Sequence, residues 1–231
     1  RELFPTASIG IALWHPRYQN GEEMLRDADA AMYRAKDDGR DRCMLFDEAM
    51  RAEVIRTLDL EADLRRAINN DAFEPYYQPI VRMADRAVVG HEALLRWRHD
   101  HHGLLAPGQF LDVGEGSGLI EQVDWMMYAR VIADMGRRPE LPGYVAINVS
   151  PRHFRSPDFG PRLLEVARVP AERLRIEITE VALLDDAPRI SHTLHQLRQR
   201  GVLAQLDDFG TGYSALSYLH RFPIGALKIA R

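Results

Sequence analysis

The sequence predicts an α/β fold built on a parallel sheet, open or closed into a barrel. Three observations carry that prediction. From Ala72 onward, apolar strand-like runs alternate with helical segments, as chained β-α-β units do. Within each run the aliphatic residues keep one parity and polar residues the other, so each strand has an apolar side for helices and a polar side facing inward. The composition, 46% apolar and 28% charged over 231 residues, is that of a chain that buries a core.

The elements follow in order. Ala7 to Trp14 alternate as a strand does. Asn20-Gly21 marks a turn, and Glu22 to Lys36 is helical because Leu25, Ala28, Met32 and Ala35 recur at spacings of three and four. Gly39 supplies the stop. Cys43-Met44-Leu45-Phe46 is a short apolar strand, with its thiol expected buried and inert. Three elements bury little, so residues 1–47 read as the end of a larger α/β unit. Residues 48–69 form an amphipathic connector helix. Met50, Val54, Leu58, Leu64 and Ile68 share a face interrupted by Glu61, and Arg51, Arg56, Arg65 and Arg66 alternate with acids on the other. Its heptad is too short for a coiled coil. Strands then fall at 73–80, 87–97, 143–149, 172–179, 202–207 and 224–229. Helices fall near 107–116, 119–136, 158–168, 187–200 and 214–220. The chain opens on Arg1-Glu2-Leu3-Phe4 and stops on Ile229-Ala230-Arg231, both mid-domain in character, so the length is expected to belong to a piece of a longer protein.

Charge and cysteine content exclude several classes. Lys and Arg number 30 against 34 Asp and Glu, a net −4, which disfavours a binder of nucleic-acid polymers. The single cysteine excludes a disulfide framework and a cysteine zinc site, and it fits a reducing cytosol. No apolar run approaches the roughly 18 residues of a membrane span, so a cytoplasmic chain is expected.

The inward parity of the strands gathers chemistry. Glu92, Leu94 and Arg96 share one face, Asn148 lies opposite Val145, Ile147 and Val149 in parity, and Arg175, Glu177 and Thr179 stand apart from the aliphatics of their strand. Lys228 lies opposite Leu227 and Ile229, and Asp207-Asp208 end their strand at the edge where α/β sheets and barrels place active sites. Four carboxylates and Asn148 converging in one interior need compensation. An all-oxygen set favours Mg²⁺, Mn²⁺ or Ca²⁺, and adjacent aspartates suit a two-metal phosphoryl displacement. Lys228 and Arg96 add cations suited to a phosphate or to orienting a water.

Together these motifs resemble the EAL domain, the bacterial phosphodiesterase that cleaves cyclic di-GMP to linear pGpG. They are His91-Glu92-Ala93-Leu94-Leu95-Arg96-Trp97, Tyr77-Gln78-Pro79-Ile80, Asn148-Val149-Ser150, Glu177-Ile178-Thr179-Glu180 and Asp207 through Ser214. The resemblance covers residues ~70–231 and implies an EAL-type TIM-like (β/α)8 barrel, of which six of the eight strands are expected here. It implies metal ligation by Glu92, Asn148, Glu177 and Asp207, with Asp208 serving a second Mg²⁺ or Mn²⁺. It implies that Lys228 positions or deprotonates the attacking water, with Glu92 and Asp207 beside it in catalysis. Gln78, Leu94 and Arg96 match substrate-contacting positions, and Glu180 matches the anchor of the loop carrying Gly210 and Gly212. That loop is linked in the family to homodimerisation.

Residues 1–47 resemble the end of a GGDEF (diguanylate cyclase) domain through Ala28-Asp29-Ala30-Ala31-Met32-Tyr33-Arg34-Ala35-Lys36 and Gly39-Arg40. Lys36 and Arg40 match nucleotide-contacting positions, which implies GTP as a ligand of the parent protein. The GGDEF signature is absent from this chain, so cyclase activity of this chain is excluded.

One departure opens a second reading. The family has Asp two residues after its lysine where this chain has Ala230. The alternative to a metal-dependent phosphodiesterase is therefore an inactive EAL module that binds cyclic di-GMP or a protein partner. Other eye-catching residues read as ordinary structure. His99-Asp100-His101-His102 reads as a solvated loop, and Met126-Met127-Tyr128 as packing. Gly114 to Gly118 lacks the lysine and the preceding strand of a phosphate loop.

Overall fold

The computed structural model describes residues 5–139, 142–167, 169–210 and 220–229. The chain divides into two compact units, residues 1–63 and 64–231, with the boundary inside a single helix. No helix among the described residues is long and apolar enough to cross a membrane.

In the first unit, β1 (Ile9–Ile11) and β2 (Cys43–Leu45) pair in parallel, with Ile9 opposite Cys43 and Ile11 opposite Leu45. Helix α1 (Gly21–Asp37) makes the crossover. Asn20 caps it: the extended backbone there lets Oδ1 accept from the Glu23 amide at 3.0 Å. Glu22 and Glu23 in its first turn and Arg34 and Lys36 in its last complement the helix dipole. Strand and helix approach so closely at Gly10 that a Cβ there would sit 1.9 Å from the Ala28 carbonyl oxygen. Cys43 is exposed, contrary to the burial expected of an apolar strand. A three-residue strand alternates, and its burial pattern puts only Met44 toward partial cover.

Asp27 is the polar centre of this unit. Its side chain is 1% exposed and accepts from Arg51 Nε (2.8 Å), Arg17 Nη2 (3.0 Å) and the Tyr18 hydroxyl (2.7 Å). Burial alone would raise its pKa, but the hydrogen bonds from Arg51 and Tyr18 and the charges of Arg51 and Arg17 outweigh it and hold the carboxyl below its ordinary value. A depressed carboxylate stabilises the fold above its unfolded pKa and loses that contribution as pH falls through the folded value. Hydrogen-exchange protection of the α1 amides is thus expected to hold to about pH 4 and to fall below it. Asp27→Asn weakens the hydrogen bonds that Arg51, Arg17 and Tyr18 donate to a charged carboxylate, and is expected to lose about 2 kcal/mol of that protection at neutral pH. Protection that stays flat into strong acid would overturn this account.

Helix α2 (Glu48–Asn69) has the bounds expected of the amphipathic helix at 48–69. Leu64 and Ala67 near its end are buried in the second unit, where Leu64 packs against Gly114.

Among the described residues, the second unit carries a seven-stranded mixed sheet. β3 (Phe73–Val81) and β4 (Val88–His99) form an antiparallel hairpin, and β5 (Gly103–Leu105) pairs antiparallel with the end of β4. Then β6 (Tyr144–Asn148), β7 (Leu174–Thr179), β8 (Leu203–Phe209) and β9 (Ile224–Ile229) add in parallel, giving the order β3-β4-β6-β7-β8-β9. The expectation of an all-parallel sheet fails at the hairpin. Residues 82–87 are too short for a crossover, which takes about a dozen residues. The Arg82 and Arg86 amides close the turn instead, donating to the Ala87 and Arg82 carbonyls.

Helices α3 (Leu111–Gly116), α4 (Ile120–Arg137), α5 (Phe159–Val166), α6 (Glu180–Asp185) and α7 (Ala187–Gln199) cover the outer face. Between them and the sheet lies the core, including Val131, Ile147, Leu163, Ile176, Ile178, Leu194 and Leu206, none more than 2% exposed. Fully burying such a side chain stabilises by about 1.5–3 kcal/mol. These outward-parity aliphatics are what turn the polar parity inward. The helix expected at 107–116 is split into a 3-10 turn (Pro107–Gln109) and α3, and α6 was not expected. The helix expected at 214–220 lies almost wholly outside the described residues. His99 is not in a solvated loop. It ends β4 at 6% exposure, packs on Trp97 at 4.8 Å, and its Nδ1 accepts from the amides of His101 and His102.

Candidate active site

Parity and register build the site. Parallel pairing sets Glu92 beside Ala146 and Asn148 beside Glu177, while Thr179 faces Asp207. Asn148, Glu177 and Asp207 thus stand toward the C-terminal ends of β6, β7 and β8, and Glu92 in the first half of the longer β4, all on the inner face. The sheet curls far enough that Lys228 on β9 reaches Glu92 on β4. Its Nζ donates to Glu92 Oε2 (3.0 Å), Glu177 Oε2 (2.6 Å) and Asp207 Oδ2 (3.1 Å). Four strand steps along the sheet separate those two strands, so this contact records the arc of a partial TIM-like barrel.

Glu92, Glu177 and Asp207 each offer an oxygen within 4.8 Å of the others. Two carboxylates that close repel by about 3 kcal/mol at the effective dielectric of a protein site. Glu177 is 1% exposed, and burial is the main reason its pKa rises. The Lys228 hydrogen bond opposes the rise and the Glu92 charge adds to it, leaving the carboxyl at about 7. Burial works against the Lys228 ammonium too, but its bonds to Glu177 and Glu92 outweigh that and raise its pKa above the ordinary lysine value.

Asn148 stands at the exposed end of β6, its amide nitrogen 3.2 Å from Glu92 Oε1. Asp208 is not among the three converging carboxylates. It is exposed, with a left-handed backbone (φ 52°), and its amide donates to Asp207 Oδ1 at 3.0 Å. Glu180, 3% exposed at the start of α6, accepts from the Gly210 amide at 3.3 Å through Oε2. Gly210 has φ 100°, a conformation that favours glycine. Gly212 and the rest of that motif to Ser214 lie outside the described residues, as does Ala230, on which the non-catalytic reading rests.

Gln78 is exposed on β3 directly opposite Glu92. Leu94 and Arg96 are half-buried further along β4, with Arg96 over the Tyr76 ring at 5.7 Å. A cavity of about 330 Å³ opens beside this row, lined by Glu92, Leu94, Pro107, Asp124, Tyr128 and Asn148. Sequence reasoning missed Asp124, whose Oδ2 is hydrogen-bonded to the buried His153 Nε2 at 2.9 Å and whose pKa burial raises. It also missed Gln205, a polar residue at 4% exposure two positions before Asp207. Its inward parity was the available signal.

The donor set fits a hard divalent cation. Every ligand atom is oxygen, three carboxylates supply the charge, and a cation, the Lys228 ammonium, already satisfies all three at 2.6 to 3.1 Å.

The chain is similar to known proteins along its whole length. The EAL domain model matches residues 61–231, and the diguanylate cyclase GGDEF domain model matches residues 1–42. The chain is 37% identical over 238 residues to the cyclic di-GMP phosphodiesterase NbdA of Pseudomonas aeruginosa, covering 100% of this chain and 30% of that protein. It is 39% identical over 239 residues to the bifunctional diguanylate cyclase/cyclic di-GMP phosphodiesterase MucR of the same organism, covering 100% of this chain and 34% of that protein. The chain therefore spans about a third of the length of these relatives. The solved structure of the PaMucR phosphodiesterase in complex with c-di-GMP superposes with a TM-score of 0.69 at 35% identity, over 74% of this chain and 72% of that one.

Proposed function

Because this chain belongs to the EAL domain family, we propose that it is the catalytic part of a metal-dependent phosphodiesterase that hydrolyses cyclic di-GMP to linear pGpG. The observation that carries the reading is the set of three carboxylates within 4.8 Å of one another on the inner face of β4, β7 and β8, with Lys228 among them. Glu92, Glu177, Asp207 and the Asn148 amide oxygen would hold Mg²⁺ or Mn²⁺, and Asp208 at the rim would serve a second cation. When bound, such an ion lowers the pKa of a water and offsets the phosphate charge.

The residues of the chain do the rest. Lys228 is an ammonium at neutral pH, since its carboxylate contacts raise its pKa, so it orients the attacking water or a phosphate oxygen rather than removing a proton. Arg96, further along β4, offers a second cation to the phosphate. Gln78 and Leu94 flank the row where a bound dinucleotide would lie, and Glu180 holds the Gly210 amide and with it the start of the following loop. The same reading takes the full protein as a homodimer through this domain, with GTP as a ligand of its GGDEF-like part.

The test is to incubate the full protein with cyclic di-GMP and Mn²⁺ and separate the products by chromatography. Linear pGpG is expected, and Glu92→Ala is expected to lower the rate by about a thousandfold. No hydrolysis, or an unchanged rate in the variant, overturns the reading. Tight binding without turnover would instead favour the receptor role.

A further inference from the structure

The floor beneath the carboxylates is polar, and its parts are joined in series. Gln205 stands directly opposite Glu177 in the β7–β8 register, and the two residues are 4% and 1% exposed. One orientation of the Gln205 amide satisfies both of its neighbours. Its nitrogen then donates to Glu177 Oε1 at 3.2 Å, and its oxygen accepts from Arg175 Nη1 at 2.7 Å. The opposite orientation sets oxygen against carboxylate and NH₂ against guanidinium.

Arg175 is itself held. Its guanidinium lies 3.4 Å from the centre of the Tyr144 ring, in stacking contact. Tyr144 faces Gly90 in the β4–β6 register, and a Cβ on Gly90 would come within 2.8 Å of the ring, so only glycine leaves the ring its place. The links therefore run Gly90, Tyr144, Arg175, Gln205 and Glu177 across four neighbouring strands. Lys228 holds Oε2 of Glu177 at 2.6 Å, and Gln205 holds Oε1. With both oxygens engaged, the plane of the carboxylate is set.

We propose that Gln205, itself oriented by Arg175 stacked on Tyr144, is a positioning residue that sets the Glu177 carboxylate for divalent-cation binding. This rests on the reading above that Glu177 is a metal ligand. Groups that hydrogen-bond a metal-ligating carboxylate fix its direction, and their loss costs about 10- to 100-fold in metal affinity or activity.

The experiment titrates Mn²⁺ into the full protein, with free ion read by electron paramagnetic resonance. It compares wild type, Gln205→Met, Arg175→Met and the double variant, and records the Tm of each. Gln205→Met keeps the length of the side chain and removes the donor. It is expected to weaken Mn²⁺ binding about tenfold, and Arg175→Met severalfold. Because Arg175 acts through Gln205, the double variant is expected to bind no worse than Gln205→Met alone. A lower Tm with unchanged Mn²⁺ affinity overturns the proposal and leaves the metal reading standing. Fully additive losses overturn the serial link. No Mn²⁺ uptake by wild type overturns the metal reading and the proposal with it. Should Gln205→Met fail to fold, Arg175→Lys tests the same link by keeping the charge without the planar stack. Severalfold weaker binding is then expected, and wild-type affinity overturns the link.

Discussion

Lys228→Met is expected to lower kcat on cyclic di-GMP by about three orders of magnitude while Mn²⁺ binding stays intact or tightens. The two halves of that expectation have different causes. The ammonium lies 2.6 to 3.1 Å from one oxygen of each of Glu92, Glu177 and Asp207, so it competes with a metal for those oxygens. Removing it removes the competitor. It also removes the charge that we propose orients water or phosphate, which would be needed only when the reaction proceeds. Without divalent cation, the variant leaves three carboxylates within 4.8 Å of one another uncompensated. Its Tm is expected to fall by several degrees and to recover when Mn²⁺ is added. Single-turnover hydrolysis, Mn²⁺ titration and thermal melts separate these effects. Weaker Mn²⁺ binding in step with the rate would mean that Lys228 organises the ligands rather than competing for them.

Mn²⁺ affinity is expected to rise about tenfold per pH unit below pH 7 and to level off above it. The group responsible is Glu177, whose buried carboxyl sits at about 7 and must lose its proton to ligate a metal. Stability of the metal-free protein should run the other way. Between the ordinary value of 4.5 and about 7, the folded state keeps a proton on Glu177 that the unfolded state has lost. The folded state then binds more protons, so stability falls as pH rises through that window and is flat beyond it. Glu177→Gln is expected to abolish both dependences. A pH-independent Mn²⁺ affinity between pH 5 and 7 in the wild type would show that another group controls the site.

Much of the site was legible in the sequence because a strand has a period of two. Glu92, Glu177 and Lys228 each break an aliphatic parity, and parity alone assigns them to the face away from the helices. The sheet strands other than the short β5 were legible for the same reason, and β9 was read with its observed bounds, Ile224–Ile229. The resemblance to the EAL domain rested on the same residues, and the family match at 61–231 agrees with it.

What escaped the sequence depends on contacts between elements remote along the chain. Cys43 looked buried because apolar neighbours surround it in sequence, yet a three-residue strand covers only its middle residue. His99 looked solvated among polar neighbours, yet Trp97, two residues back on the same face, gives its ring a packing partner. Gln205 drew no reading from the sequence, and only the register shows that it faces Glu177.

By itself the sequence determined which residues turn inward and in which chain order they come. Local backbone geometry and the burial of aliphatic parities are enough for that. Only the tertiary structure decided which of the inward residues meet. Curvature of the sheet brings Lys228 to Glu92, and pairing register sets Gln205 against Glu177. Both are collective properties of strands packed beneath helices, and no spacing within a single strand encodes them.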